Sequence, residues 1–394
     1  MNYGIVTEFN PFHNGHKYLV DTLKQSCNDT VTAVMSGNFV QRGEPACMSV
    51  GRRAEMALNS GVDLLLSLPV PYVVSSAEKF AFSGVFVLDA LNCLDSIAFG
   101  SECNSEEKIE RCAELLLSKE FNEKVSEIVN TGISFPSARE QAVLGLYGEE
   151  LAEVLRTPND ILGVEYVKAL LTLKSDMKFK TVRRTGAQHD SSEGTENVRS
   201  ASMLRSALKD IASLERFIPE NSFSVLKKTA EEGKLLDFEK FELSLLTKLR
   251  SMSSDDFRNV PDVSEGLEYR IYEAVRNSVS YKELLEKIKT KRYTLSRIRR
   301  ILINSYLGIT NNVVANNVPY IRVLGFNEKG AKLLREIKKN CSLPVITRSA
   351  DIKNLCGEGE RILKLESDSR DLYSLLLKNP DICGKELTDK IIIR

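Results

Sequence analysis

The sequence predicts an α/β protein: a parallel-sheet domain over 1–215, a helical region over 216–310 and a small C-terminal α/β region over 311–394. Three observations point there. Through the first hundred residues, short apolar runs alternate with segments of helical periodicity. Those runs are apolar throughout rather than at every second residue, as in strands covered on both faces. From 216 to 310, charge-rich helical patterns follow one another without such a run. A chain of 394 residues has room for two or three domains.

Gly4-Ile5-Val6-Thr7 is the first strand, and a loop containing Asn and Pro follows it. Lys17 to Gln25 places Leu19, Val20 and Leu23 at helical spacing. Thr30 to Met35 is β-branched and apolar, and leads into the polar loop Ser36-Gly37-Asn38-Phe39-Val40-Gln41-Arg42-Gly43-Glu44-Pro45. Ser49 caps a helix that Gly61 ends. Val62 to Leu68 is a third strand, Ala77 to Leu91 a helix, and Ser96 to Phe99 a fourth strand running into Gly100. From Glu106 to about Lys174 the pattern is helical, and Phe179 to Arg183 returns to a strand. Gly186 to Asn197 reads as a polar loop, after which Ser200 caps a helix through Leu208. The last region offers a strand at Tyr320–Leu324, a helix at Glu328–Lys339, a short strand at Pro344–Ile346 and a final helix near Asp371.

Lys+Arg and Asp+Glu each number 54, so the net charge is zero. That excludes a polybasic nucleic-acid coat but not a local basic patch. With 42% hydrophobic and 27% charged residues, disorder as the main state is also excluded. No apolar run approaches the roughly 18 residues of a membrane span. The N-terminus enters the first strand without the basic stretch of a signal peptide. Eight cysteines without a C-x-x-C pair read as reduced thiols of a cytoplasmic protein.

The chemistry gathers at the first strand–helix turn, where two of the three histidines stand three residues apart. Parallel sheets bind ligands beyond the carboxyl ends of their strands. A helix beginning near Gly15 aims free N–H groups and its positive dipole end at that loop, which suits phosphate. His13 and His16 then face one anion, able to donate to oxygens whose charge grows during phosphoryl chemistry. The plainer alternative is a polar loop residue and a helix-start residue without chemistry. No P-loop and no G-x-G-x-x-G run competes, and two histidines alone do not make a zinc site, so no metal ligand is assigned. Asn38, Gln41 and Arg42 follow the second strand and reach the same sheet edge. Arg42 is either a fork for carboxylate or phosphate, or a structural partner of Glu44 or Glu8.

His-x-Gly-His after a first strand resembles the nucleotidyltransferase superfamily, whose Rossmann-like domains make or break an α–β phosphate bond. The longer string Gly4 to His16, with Ser36 to Ala46, Ala98-Phe99-Gly100-Ser101-Glu102 and Pro158-Asn159-Asp160-Ile161-Leu162-Gly163, resembles the bacterial tRNA(Met) cytidine acetate ligase family. The likeness spans essentially the whole chain and is sharpest over the first 205 residues. It implies that ATP and acetate give acetyl adenylate and pyrophosphate, with Mg²⁺ assisting. The acetyl group then passes to the exocyclic amine of the wobble cytidine in elongator tRNA(Met), forming N(4)-acetylcytidine. It implies His13 and His16 as catalytic residues. It also implies ATP contacts from Thr7, Glu8, Phe9, Asn10, Pro11, Phe12, His13, Asn14, Gly15, His16, Lys17, Tyr18, Leu19 and Val20, completed by Gly100, Asn159 and Arg184. Ser200 to Arg205 is similar to the superfamily's second phosphate motif, which makes Ser200 and Arg205 candidate phosphate or acetate contacts with Asn38, Gln41 and Arg42. The same segment also reads as an ordinary capped helix. Two positions depart from the family, with Val50 where it usually carries Lys and Ser67 where it carries Glu.

Lys287 to Arg300 holds seven basic residues and no acid. Leu295, Ile298, Ile301 and Leu302 form a stripe, so Arg297 and Arg300 are expected beside it rather than buried. Tyr293 is placed to stack on a base. Lys289, Lys291, Arg292, Arg297 and Arg300 are therefore candidate tRNA contacts, against the alternative of a solvated helix face. Two other functions stand beside the ligase. One is a small-molecule adenylyltransferase, which leaves the extra ~180 residues and the basic helix without a role. The other is a catalytically silent nucleotide- or RNA-binding module, kept open by Val50 and Ser67.

Overall fold

Strands that are apolar on both faces must be covered on both, and those segments take the middle of the sheet. The computed structural model describes residues 1–184, 199–264, 266–313 and 317–394; the polar loop read over 186–197, with His189, lies outside them. Among the described residues the strands are β1 (Asn2–Thr7), β2 (Thr30–Ser36), β3 (Phe39–Val40), β4 (Glu44–Pro45), β5 (Leu64–Leu68), β6 (Ser96–Ser101), β7 (Lys178–Arg183), β8 (Ile321–Phe326), β9 (Val345–Ile346) and β10 (Ile392–Ile393). One sheet runs in the order β10-β8-β5-β2-β1-β6-β7, with β9 beside β8. β2 and β5 are buried at every residue.

The chain winds outward from β1 through β2 to β5, then crosses back to β6 and β7 on the other side, all in parallel. The direction of winding therefore reverses between β1 and β6. Such a switch point opens a crevice at the carboxyl ends of the strands. The helix Ala77–Asp89 crosses close over β1, because a Cβ on Gly84 would lie 2.7 Å from the Val6 methyls. No helix among the described residues is long and apolar enough to cross a membrane. All eight cysteines are free.

The C-terminal strand extends the main sheet, with β8 running antiparallel to β5. The junction is held by Asp63, whose carboxylate is fully buried. It accepts hydrogen bonds from the Val31 N–H at 2.8 Å, from Lys24 Nζ at 2.9 Å and from Asn327 Nδ2 at 2.9 Å. Asn327 in turn caps the helix Glu328–Asn340 by accepting from the Gly330 N–H. One carboxylate thus ties the first helix, the edge of β2 and the last region together.

The loop after β2 carries the small antiparallel hairpin β3–β4, and the helix Leu295–Leu307 lies against it. Gly43 at its turn has φ +75°, and a Cβ there would fall 2.3 Å from the Arg300 backbone nitrogen. This contact corrects two expectations. Arg300 is 8% exposed and Tyr293 is 7% exposed, so neither lies open beside a single apolar stripe. The helix is the inner one of its region and is buried nearly all round from Ile298 onward. A one-stripe reading fails for such a helix.

Removing the carboxylate in Asp63→Ala leaves Lys24 and the Val31 N–H without their partner. The expected loss of unfolding free energy is about 3 kcal/mol or more, read from urea denaturation. A loss below about 1 kcal/mol would show that the junction does not depend on this node.

Candidate active site

The loop after β1 turns over an apolar floor. Phe9 and Phe12 are buried with ring centroids 4.8 Å apart, and the His16 ring meets Phe9 edge-on at 5.0 Å. Above this floor starts the helix Asn14–Leu23, with His13 as its N-cap. The Gly15 N–H donates to His13 Nδ1 at 3.0 Å, and the His13 N–H donates to His16 Nδ1 at 3.2 Å. It is a capping box built from two imidazoles. Because a backbone amide only donates, each Nδ1 must be unprotonated, and each ring carries its proton on Nε2. Among the described residues, neither Nε2 has a hydrogen-bond partner.

The two rings stack with centroids 3.8 Å apart and planes 24° from parallel. Burial pushes the His13 pKa down to about 3, helped by the positive charges of Arg184 and Arg205. Burial also carries His16 well below its ordinary value, with His13 and Arg184 adding to the effect. The pair is neutral at physiological pH. It offers two N–H donors at the switch point, beside the start of a helix whose dipole favours an anion.

Arg184 comes from the end of β7, on the far side of the crevice. Its side chain lies over Gly100, where a Cβ would be 3.2 Å from Arg184 Cγ. It donates to Asn159 Oδ1 at 3.4 Å and pairs with Glu102 at 3.4 Å, while Asn159 Nδ2 also donates to Glu102. Asp160, 1% exposed, holds this loop by accepting from the N–H groups of Glu102 at 3.1 Å and Cys103 at 3.0 Å.

The other wall is the loop after β2. Arg53 is fully buried and has no carboxylate within 4 Å among the described residues. Its guanidinium donates to the carbonyls of Met48 at 3.2 Å and Ser36 at 3.0 Å, and to those of Gly37 and Glu8. It therefore joins the ends of β1 and β2. Asn10 and Asn38, each 2% exposed, fasten the same loops by accepting from the Cys47 and Val50 N–H groups, both at 2.8 Å. The Glu8 carboxylate accepts from the Gln41 N–H at 2.8 Å, and burial raises its pKa against the pull of that bond and of Arg205, Arg42 and Arg53. Arg205 donates to the Asn10 carbonyl at 3.0 Å and lies 3.9 Å from Glu44. Ser200 uses its hydroxyl to cap its helix at the Met203 N–H. Arg42 is exposed and forms an ion pair with neither Glu44 nor Glu8.

Other residues of the first helix stand further from the crevice. Lys17 pairs with Asp21, Tyr18 is 41% exposed, and Leu19 and Val20 pack into the core beneath. Asn14 donates to the Arg216 carbonyl at 2.9 Å. Val50 and Ser67 are both buried; Val50 opens the helix Val50–Asn59, and Ser67 sits in β5 opposite Arg322. In the basic segment, Lys289, Lys291 and Arg292 are exposed. Arg297 donates to the Asp262 carbonyl at 2.7 Å, and Arg300 pairs with the Asp262 carboxylate at 3.3 Å. Arg297 also lies over the Tyr293 ring, 5.0 Å from its centroid.

Residues 1–387 match the family model of the HIGH nucleotidyl transferases. A tRNA(Met) cytidine acetate ligase of Caldanaerobacter subterraneus is 40% identical over 388 residues, 95% of either chain. One from Acetivibrio thermocellus is 36% identical over 99% of both. This chain belongs to the tRNA(Met) cytidine acetate ligase family of HIGH nucleotidyl transferases. A solved Thermotoga maritima TmcAL bound with alpha-thio ATP superposes with a TM-score of 0.91 at 33% identity, covering 100% of this chain and 99% of that one. The apo form of the same protein gives 0.92 at 34% identity.

For a member of this ligase family, the first loop was legible as a motif, but its supports were not. Arg53 stands in an unremarkable Arg-Arg pair. Its signal was periodicity: Val50, Arg53, Ala54 and Ala57 share the buried face of one helix, and a cation on such a face needs partners.

In the free enzyme, both imidazoles should appear in long-range ¹H–¹⁵N spectra as Nε2–H tautomers from pH 8 down to about 5, as His13 folds with a pKa of about 3. Between pH 6.5 and 3 the unfolded chain binds a proton that folded His13 refuses, so this group removes stability as the pH falls through that window and has no effect above it. A midpoint near 6.5 at either ring would contradict the tautomer assignment.

Proposed function

We propose that this chain is an ATP-dependent ligase that activates acetate as acetyl adenylate and transfers the acetyl group to the wobble cytidine of elongator tRNA(Met), giving N(4)-acetylcytidine. The observation that carries the reading is the pair of neutral imidazoles at the sheet's switch point, in a chain similar over its whole length to ligases of that name. An acetate oxygen attacks the α-phosphorus of ATP and pyrophosphate leaves. The cytidine amine then attacks the acetyl carbonyl, losing a proton as AMP departs.

The residues divide this work by their chemistry. The Nε2–H groups of His13 and His16 donate to phosphate oxygens as charge grows on them, without a proton having to be gained or lost. Arg184 and Arg205 bring positive charge from opposite walls, and Gly100 and Asn159 shape the nucleotide side. Arg42, exposed and without an ion pair among the described residues, is available to a carboxylate or to departing pyrophosphate. Among the described residues, no group of three His, Cys, Asp or Glu side chains could hold a metal ion. Mg²⁺ entering with the phosphates of ATP would neutralise part of their charge. Exposed Lys289, Lys291 and Arg292 meet the tRNA backbone, while Arg297 and Arg300 shape the surface beneath them through Asp262.

Incubation with ATP and acetate should release pyrophosphate, and adding tRNA(Met) should yield acetylcytidine in the nucleoside digest. His13→Ala and His16→Ala should each slow pyrophosphate release by about 10²–10³, the usual effect of losing one preorganised donor. Release that needs a different acceptor would indicate a small-molecule adenylyltransferase, and none at all a silent binding module. Near-normal release in both variants would remove the imidazoles from the mechanism.

A further inference from the structure

The transfer step needs a group that takes up the proton the acceptor amine loses. His13 and His16 do not serve, since each Nδ1 accepts a backbone N–H and each Nε2 already carries a proton. The first loop holds another group with the required chemistry. Glu8 directly follows β1, in the same loop as His13, and its backbone carbonyl accepts from Arg53.

Glu8 is half-buried, and its carboxylate is used on one side only. Oε1 accepts from the Gln41 N–H at 2.8 Å, while Oε2 has no hydrogen-bond partner among the described residues and is not sealed from solvent. Three cations act on this carboxylate from three elements: Arg205 on the helix Ala201–Ser206, Arg42 on the loop after β2 and Arg53 on the helix Val50–Asn59. Among the described residues, none of them forms an ion pair with it within 4 Å. Tyr166, buried on the helix Pro158–Leu173, also feels its charge; burial first, and Glu8 second, raise that hydroxyl. Burial keeps the Glu8 pKa above the ordinary carboxylate value, while the arginines and the Gln41 bond favour the anion. The result is a carboxylate more basic than one at the surface.

The Gln41 bond holds the carboxylate on the β2 side of β1, opposite Gly100, Asn159 and Arg184 on the β6–β7 side. The positive charge of Arg205 acts on both Glu8 and His13, so carboxylate and imidazole border one crevice. An open carboxylate oxygen only accepts, and it therefore calls for a donor. Acetate and the phosphates offer none at neutral pH. The acceptor amine donates in its ground state, and it must shed a proton once its nitrogen bonds to the acetyl carbon.

We infer that Glu8 Oε2 is the general base that takes the proton from the cytidine amine during acetyl transfer. The nitrogen–carbon bond forms and the bond from the acetyl carbon to the phosphate oxygen breaks. AMP leaves with that electron pair, and the proton rests on Glu8 until water removes it. The inference rests on the ligase reading and supplies the base that its second step needs.

The test follows a single turnover. Full-length enzyme is charged with ATP and radiolabelled acetate, tRNA(Met) transcript is added, and acetylcytidine formation is timed from about pH 5 to about 9. Acetate-driven ATP–pyrophosphate exchange without RNA is measured beside it. Glu8→Gln keeps an acceptor for the Gln41 N–H but removes the base. It should slow transfer by about 10²–10⁴, roughly tenfold or more beyond any loss of exchange. In the wild type, transfer should fall as the pH drops through the Glu8 pKa, because only the carboxylate takes a proton. Glu8→Gln should lose that limb. Glu8→Asp, with the charge one methylene short, should be slower yet keep the limb, and it carries the test if Glu8→Gln does not fold. Equal losses of transfer and exchange, a limb that persists in Glu8→Gln, or a limb missing from Glu8→Asp would overturn the assignment. So would a raised Mg²⁺ requirement for exchange in Glu8→Gln, which would make the carboxylate a partner of the incoming metal. Absence of exchange and of acetylcytidine in the wild type would instead overturn the ligase reading.

Discussion

A buried guanidinium without a carboxylate sets the shape of the site. Arg53 lies between the ends of β1 and β2 and donates to the carbonyls of Glu8, Ser36, Gly37 and Met48, with the Ser36 hydroxyl at 3.4 Å. Burying a charge in this way costs several kcal/mol unless every donor is satisfied, so the loops cannot part without exposing an unpaired cation. The carbonyls fix the first loop, which in turn fixes the cap of the helix that begins at Asn14. The two histidines inherit their placement from that cap.

The consequence is chemical. An imidazole held at Nδ1 by a backbone amide, in a buried stack beside arginines, stays neutral and points its chemistry through Nε2. Neutral donors suit a reaction in which phosphate charge rises and falls twice, since nothing must be protonated or released between the steps. The same wall reaches the helical region. Glu44, in β4, pairs with Arg299 of the buried helix and lies 3.9 Å from Arg205, which holds the Asn10 carbonyl of the first loop. A short chain of ion pairs and hydrogen bonds therefore runs from the basic segment to the nucleotide loop.

The parallel core was readable because its central strands are nearly continuous apolar or β-branched runs and its helices carry ordinary caps such as Ser49 and Ser200. The motif around His13 and His16 was readable because its chemistry is local. What escaped was long-range. Nothing near Ile321 announces that β8 joins β5 antiparallel, because pairing partners about 250 residues apart leave no periodic trace in either segment. Arg300 looked exposed because arginine ordinarily lies at the surface, and nothing local shows that the β3–β4 hairpin covers this helix. Asp160 was visible within a motif, but its role of holding the Glu102 loop appears only once β6 and the helix Pro158–Leu173 are adjacent.

The most direct test is ATP–pyrophosphate exchange driven by acetate in Arg53→Met, with the fold checked by circular dichroism and the His13 and His16 ring signals recorded on the same sample. If Arg53 holds the loops, the variant keeps its secondary structure, loses exchange by about 100-fold or more, and shows altered Nδ1 shifts at both imidazoles as their backbone donors move. Wild-type exchange with unchanged imidazole signals would contradict the account, since the histidines would then be positioned without the guanidinium.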